Sequence, residues 1–131
     1  MADLLFVYGT LRSGSASPMA RELARNAALI GPARMRGRLV DLGLYPGLLD
    51  AGDSDDWVDG EVWGMRAPDE LLPAIDAYEG CGVNDPEPHE YKRVIRIAVL
   101  ASGERVAAWV YLYRGSVAIA GVSSAERSQT R

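Results

Sequence analysis

The stretch from Arg105 to Tyr113 most tightly limits what this chain can fold into. In it Val106, Ala108, Val110 and Leu112 alternate with Ala107, Trp109, Tyr111 and Tyr113. Successive residues of a strand point to opposite faces, so one face is aliphatic and the other largely aromatic. Both faces therefore need something to contact. A second strand, Tyr91 to Leu100, precedes it, and Ala101-Ser102-Gly103-Glu104 between them is a hairpin signal.

The rest of the chain supplies partners for those faces. Leu4-Leu5-Phe6-Val7-Tyr8 is a short apolar run ended by Gly9 and reads as a buried strand. Pro18 to Ala24 reads as a helix, with Ser17 as N-cap, Pro18 at the first helical position, and Met19, Leu23 and Ala27 on one face. Between Ala28 and Leu49, Gly31, Pro32, Gly37, Gly43, Pro46 and Gly47 punctuate short stretches such as Arg38 to Leu42. This predicts bent strands and turns rather than long flat strands. Asp50 to Asp56 is an acidic surface turn without the spacing or closing glutamate of a calcium loop. Val58 to Met65 reads as a strand with Val58, Val62 and Trp63 inside. A helix begins near Pro68-Asp69-Glu70, with Leu71, Ile75 and Tyr78 at helical spacing and Gly80 as its stop. Pro73 is comfortable only in a first turn, so the regular helix is expected to start later than Asp69.

Many short strands, two helices and no regular βαβ alternation predict an α+β domain with a bent, mostly antiparallel sheet or small barrel. At 131 residues there is room for a single domain, assigned to residues 1–120, with 121–131 as a polar, flexible tail. The net charge of -4 argues against a nucleic-acid partner. No apolar run reaches the length of a membrane span, and Met1-Ala2-Asp3-Leu4 lacks a positive n-region, so a cytoplasmic address is expected. A lone cysteine, Cys81, excludes an internal disulfide, and it reads as a small, partly buried residue rather than a nucleophile paired with His89. One histidine and one cysteine do not make a zinc set, and no metal is expected.

Three segments could carry chemistry. The first is Val7 to Gly14. A glycine straight after a buried strand lets the chain turn and frees backbone N–H groups that can cradle a carboxylate or phosphate, although an ordinary turn has the same signature. The pattern of a nucleotide phosphate loop is absent. The second is Asp76-Ala77-Tyr78-Glu79-Gly80. Glu79 meets the negative end of a helix dipole, and partial burial there would raise its pKa and suit it to proton transfer. A solvated last-turn glutamate fits the same residues, and Asp76, one turn earlier, is expected at the surface. The third is Glu90-Tyr91-Lys92-Arg93, with Trp109, Tyr111 and Tyr113 beside it, as either pocket wall or packed core. Tyr45-Pro46-Gly47 reads as a turn.

In their order, Tyr8-Gly9-Thr10-Leu11-Arg12, Tyr45-Pro46-Gly47, Asp76 to Gly80, Glu90 to Arg93 and Ala108-Trp109-Val110-Tyr111 resemble the gamma-glutamylcyclotransferase-like family over residues 4 to 113. The resemblance implies a small mixed, mostly antiparallel β-barrel with helices packed outside. It implies substrate binding by Tyr8, Gly9, Thr10 and Leu11, with Tyr91 as a further pocket residue and Glu79 as the catalytic acid/base. The implied reaction, of transferase or lyase type, is cofactor-independent conversion of a small gamma-glutamyl amine or peptide to 5-oxoproline and the free amine, by a monomer or homodimer. Two other readings share these residues: a non-catalytic carboxylate-binding module of the same fold, and a tailoring cyclotransferase that removes a gamma-glutamyl protecting group. The Gly82 to His89 loop, rich in proline and acid, departs from the family pattern beside the leaving-group side.

Overall fold

A computed structural model describes residues 3–8, 17–41, 46–50, 55–85, 87, 89 and 91–114. Its elements are β1 (Leu4–Val7), α1 (Pro18–Asn26), β2 (Ala27–Asp41), β3 (Pro46–Asp50), β4 (Trp57–Met65), α2 (Pro68–Tyr78), β5 (Tyr91–Leu100) and β6 (Arg105–Tyr113). The strands lie in the order β3-β2-β4-β1-β6-β5, and β2 also pairs with β5. That last pairing, Ala33 to Met35 against Ala98 to Leu100, closes the sheet into a barrel. β1 and β6 run parallel, and the other pairs are antiparallel. This is the small mixed barrel with flanking helices that the resemblance implies.

Strand β2 makes closure possible. It is a single strand of 15 residues, not the series of short pieces that its glycines and prolines suggest. Its first part pairs with β4 from Ala27 to Arg36, and its last part pairs with β3 from Gly37 to Asp41. The register shifts between Leu29 and Gly31, leaving Ile30 as the extra residue of a bulge. Gly31 sits there at φ 151°, a region that side-chain-bearing residues rarely occupy. Bulges bend and twist a strand, and here the punctuation residues curve one strand around the barrel instead of ending it.

Two apolar clusters lie on the two sides of the sheet. The first fills the barrel with Phe6, Met35, Leu48, Val58, Val62, Ala108, Val110 and Leu112. The second lies against the helices and contains Leu5, Val7, Leu23, Trp63, Leu71, Leu72, Ile75, Tyr91 and Tyr111. The alternation read from β6 is thus realised: its aliphatic residues point inward and its aromatics point toward the helices. Chain crowding is severe at Gly60, where a Cβ would overlap the Val7 carbonyl oxygen and come within 2.6 Å of the Phe6 ring.

Helix α1 begins as its sequence chemistry requires. The Ser17 hydroxyl accepts from the Ala20 N–H at 3.1 Å, and Pro18 opens α1. Helix α2 starts at Pro68 and runs through Pro73, earlier than its second proline suggested. Pro73 and Asp69 are both exposed, so water can take up the Asp69 carbonyl that loses its helical donor.

Candidate functional site

The C-terminal end of α2 is built by backbone geometry. The Gly80 N–H donates to the Ala77 carbonyl at 3.1 Å, and the Cys81 N–H donates to the Asp76 carbonyl at 2.9 Å. Gly80 takes φ 77°. These paired bonds around a left-handed glycine form a Schellman cap, and they fix Glu79 as the residue that closes the helix.

Two carboxylates one turn apart then meet opposite environments. Asp76 was expected at the surface, but only 16% of its side chain is exposed. Arg93 of β5 grips it in a fork, Nε to Oδ1 at 2.8 Å and Nη2 to Oδ2 at 3.0 Å. The Tyr111 hydroxyl of β6 donates to Oδ1 at 2.6 Å. The Arg93 guanidinium lies over the Trp109 ring, 4.5 Å from its centre. Sequence spacing cannot show that β5 and β6 pass beneath this turn of α2, so the pairing stayed hidden.

Glu79 is treated differently. Burial pushes its carboxyl up from 4.5 to about 7. Its charge reaches two neighbours. The Tyr8 phenol is held above its usual range mainly by burial and further by Glu79. The Cys81 thiol is pushed up to about 11, first by burial and then by Asp76 and Glu79. A thiol so raised stays protonated near neutrality, in keeping with the non-nucleophilic reading of Cys81.

Tyr8 follows β1 and points its hydroxyl across the barrel end. It donates to the Tyr111 carbonyl at 2.7 Å and accepts from the Leu48 N–H of β3 at 3.1 Å. Of the sequence candidates, Tyr8 and Glu79 are thereby brought within electrostatic reach. Gly9, Thr10 and Leu11 lie outside the described residues, as do Tyr45 and Glu90. Tyr91 is buried at the start of β5, edge-on to Tyr113 with ring centres 5.7 Å apart. It also lines a cavity of about 680 Å³ with Asp76, Cys81, His89, Arg93 and Trp109, so both readings of the third segment apply to it. Among the described residues no cluster of metal-ligating side chains occurs, and no helix is long and apolar enough to cross a membrane.

The fold has relatives. The family profile described as gamma-glutamyl cyclotransferase, AIG2-like, matches residues 5–128. The chain belongs to that family. It is 31% identical over 116 residues to a provisionally named gamma-glutamylcyclotransferase of Vibrio cholerae serotype O1, covering 87% of this chain and 84% of that protein. It also resembles the structure of an AIG2-like protein of Mus musculus, with a TM-score of 0.66 and 25% identity over 84% of this chain and 76% of the other. The fold recurs in YkqA of Bacillus subtilis, with a TM-score of 0.65 and 23% identity, where this chain spans 37% of the larger protein.

Within this family member, Asp76, Arg93 and Tyr111 are the residues that sequence reasoning undervalued. One signal was present. An arginine two residues into a strand from a buried tyrosine points to the same side of the sheet as that tyrosine, and a charge on a covered face needs a partner.

Proposed function

We propose that this chain converts a gamma-glutamyl amine or peptide to 5-oxoproline and the free amine, with Glu79 as general acid/base. The observation that carries the reading is the Glu79 carboxyl itself, partly buried at the helix cap, raised to about 7 by that burial, and within electrostatic reach of the Tyr8 phenol. Membership of the family supports the same chemistry.

The α-amino group of the substrate is the nucleophile, and it is protonated near neutrality, with a pKa of roughly 8. The Glu79 carboxylate takes a proton from it. The freed nitrogen attacks the γ-carbonyl carbon of the same molecule, and charge develops on the carbonyl oxygen. The Glu79 carboxylic acid then protonates the leaving nitrogen as the amide C–N bond breaks. The ring nitrogen sheds a second proton on becoming an amide, which balances protonation of the released amine in water. A carboxyl near 7 exchanges protons readily in both directions at neutral pH.

The reaction is intramolecular, so the enzyme's main task is to hold a folded conformer, and positioning of this kind supplies up to about 7–11 kcal/mol. The backbone N–H groups of Gly9, Thr10 and Leu11 are assigned the substrate carboxylate, with Tyr8 and Tyr91 contributing to the pocket. No cofactor enters this chemistry. A panel of gamma-glutamyl amino acids, peptides and amines, assayed for 5-oxoproline release, tests the reading. At least one member should be turned over by the wild type and not by Glu79→Gln. Equal release by the two proteins would contradict it.

A further inference from the structure

Tyr111 uses two different atoms to hold two different elements. Its main-chain carbonyl accepts from Tyr8, at the end of β1, at 2.7 Å. Its side-chain hydroxyl donates to Asp76, on α2, at 2.6 Å. From the first contact the chain of bonds continues to the Leu48 N–H of β3. From the second it continues to the Arg93 fork on β5.

The geometry points to Tyr111 as a positioning residue that sets the separation between Tyr8 and Glu79, acting through Asp76 and Arg93. This rests on the reading of Glu79 as the acid/base and goes beyond it by naming what holds that carboxyl in place.

The link from Asp76 to Glu79 is short and stiff. Asp76 is three residues before Glu79, and its own carbonyl accepts the Cys81 N–H of the helix cap. Its side chain is therefore tied to the sheet while its main chain is tied to the cap that carries Glu79. Bonds to an ionised carboxylate are short and strong, and the guanidinium fork adds direction. Arg93 and the Tyr111 hydroxyl together satisfy Asp76 from two strands, so rotation or sliding of the last turn of α2 would break three hydrogen bonds at once. Tyr8 has no such freedom either, since its hydroxyl is held from both sides. The apolar residues Leu71, Leu72 and Ile75 seat α2 on the sheet, but apolar contact is non-directional. The hydrogen-bonded chain supplies the direction.

The test is Tyr111→Phe in the full chain, assayed with a gamma-glutamyl substrate that the wild type accepts. Phenylalanine keeps the ring and the main-chain carbonyl and removes only the bond to Asp76. Turnover is expressed per folded molecule, with folding followed by circular dichroism. A misplaced acid/base lowers kcat by about tenfold or more and leaves KM nearly unchanged. The pH dependence of kcat should also shift, because burial is what raises the Glu79 carboxyl and a displaced helix cap would change that burial. Asp76→Asn should give the same pattern, and the double variant should be no worse than the poorer single one. Arg93→Lys, which keeps the charge and breaks the fork, replaces Tyr111→Phe if that variant is too unstable to assay.

Lower stability with kcat and pH profile unchanged in Tyr111→Phe and Asp76→Asn would overturn the proposal and leave a structural brace. Glu79→Gln, assayed alongside, separates the two levels. If it loses turnover while Tyr111→Phe does not, only the positioning role falls. If it keeps turnover, the acid/base reading falls and takes the positioning role with it.

Discussion

The two faces of β6 have been put to different uses. On the inner face Val106, Ala108, Val110 and Leu112 join an aliphatic filling that also contains Phe6, Met35 and Val62. These side chains hold the barrel together, and none of them can donate a hydrogen bond or a proton. On the outer face Trp109, Tyr111 and Tyr113 pack toward α2. There a guanidinium stacks on one ring and a phenol binds a carboxylate. The lesson is that a covered face need not be an apolar face. Where every polar group has a partner, the same burial that stabilises a core can orient a site. Tyr8 joins the two regions, because its ring packs against the barrel filling while its hydroxyl reaches the Tyr111 carbonyl.

The largest effect is expected in Glu79→Gln, where the proposed function requires kcat for 5-oxoproline release to fall about 10²–10⁴-fold. Far-ultraviolet circular dichroism should stay that of the wild type, because Glu79 closes the helix through its backbone and not its side chain. A variant that unfolds would show that this face is structural after all.

Gly60→Ala addresses the opposite region. Its methyl would overlap the Val7 carbonyl and the Phe6 ring, neither of which can yield easily. A loss of roughly 3 kcal/mol in urea unfolding is expected, with turnover per folded molecule retained. A loss of turnover without a loss of stability would erase the distinction between the two regions.

Arg93→Met should cost about 2 kcal/mol, since it strands the mostly buried Asp76 carboxylate. The figure is kept below that for a fully buried pair because both side chains retain some contact with water. Adding Asp76→Asn to Arg93→Met should recover part of that loss.

The smallest effect depends on pH. The fold raises the Glu79 carboxyl from 4.5 to about 7, so the folded state favours its protonated form. That contribution is fully present at pH values below 4.5 and is lost as pH rises through about 7. Glu79→Gln removes the dependence. The variant should match the wild type in acid and be more stable by about 1–2 kcal/mol in mild alkali, a value reduced for partial exposure. Equal stability throughout would place the carboxyl in water.

Much of this fold was legible because its signals are local. Ser17-Pro18 marks the start of α1, Gly80 marks the cap of α2, and the alternation of β6 gives both its faces. Reading β2 as several pieces failed because a bulge and a chain break share the same residues. Whether Gly31 and Pro32 end a strand or bend it depends on β4 continuing alongside, from Val62 to Trp57, and that partner is distant in sequence. Asp76 was misread for a related reason. Helical periodicity places it near Glu79, but only the pairing of β5 with β6 puts Arg93 opposite Tyr111 and both beneath α2. Tyr8 and Glu79 could be nominated from sequence through the family order of motifs. The bonds that hold them apart could not, because they run through residues whose types are ordinary one by one.

The central claim is that the carboxyl closing α2 stays largely out of water and exchanges its proton near neutrality, while the carboxyl one turn earlier is held as a partner to Arg93. Carbon-detected nuclear magnetic resonance of the side-chain carboxyls, followed as a function of pH in the wild type and in Glu79→Gln, measures this directly. The account predicts one glutamate that titrates at about 7 and is missing from the variant. A spectrum in which every glutamate titrates near the ordinary value of about 4.3 would contradict it.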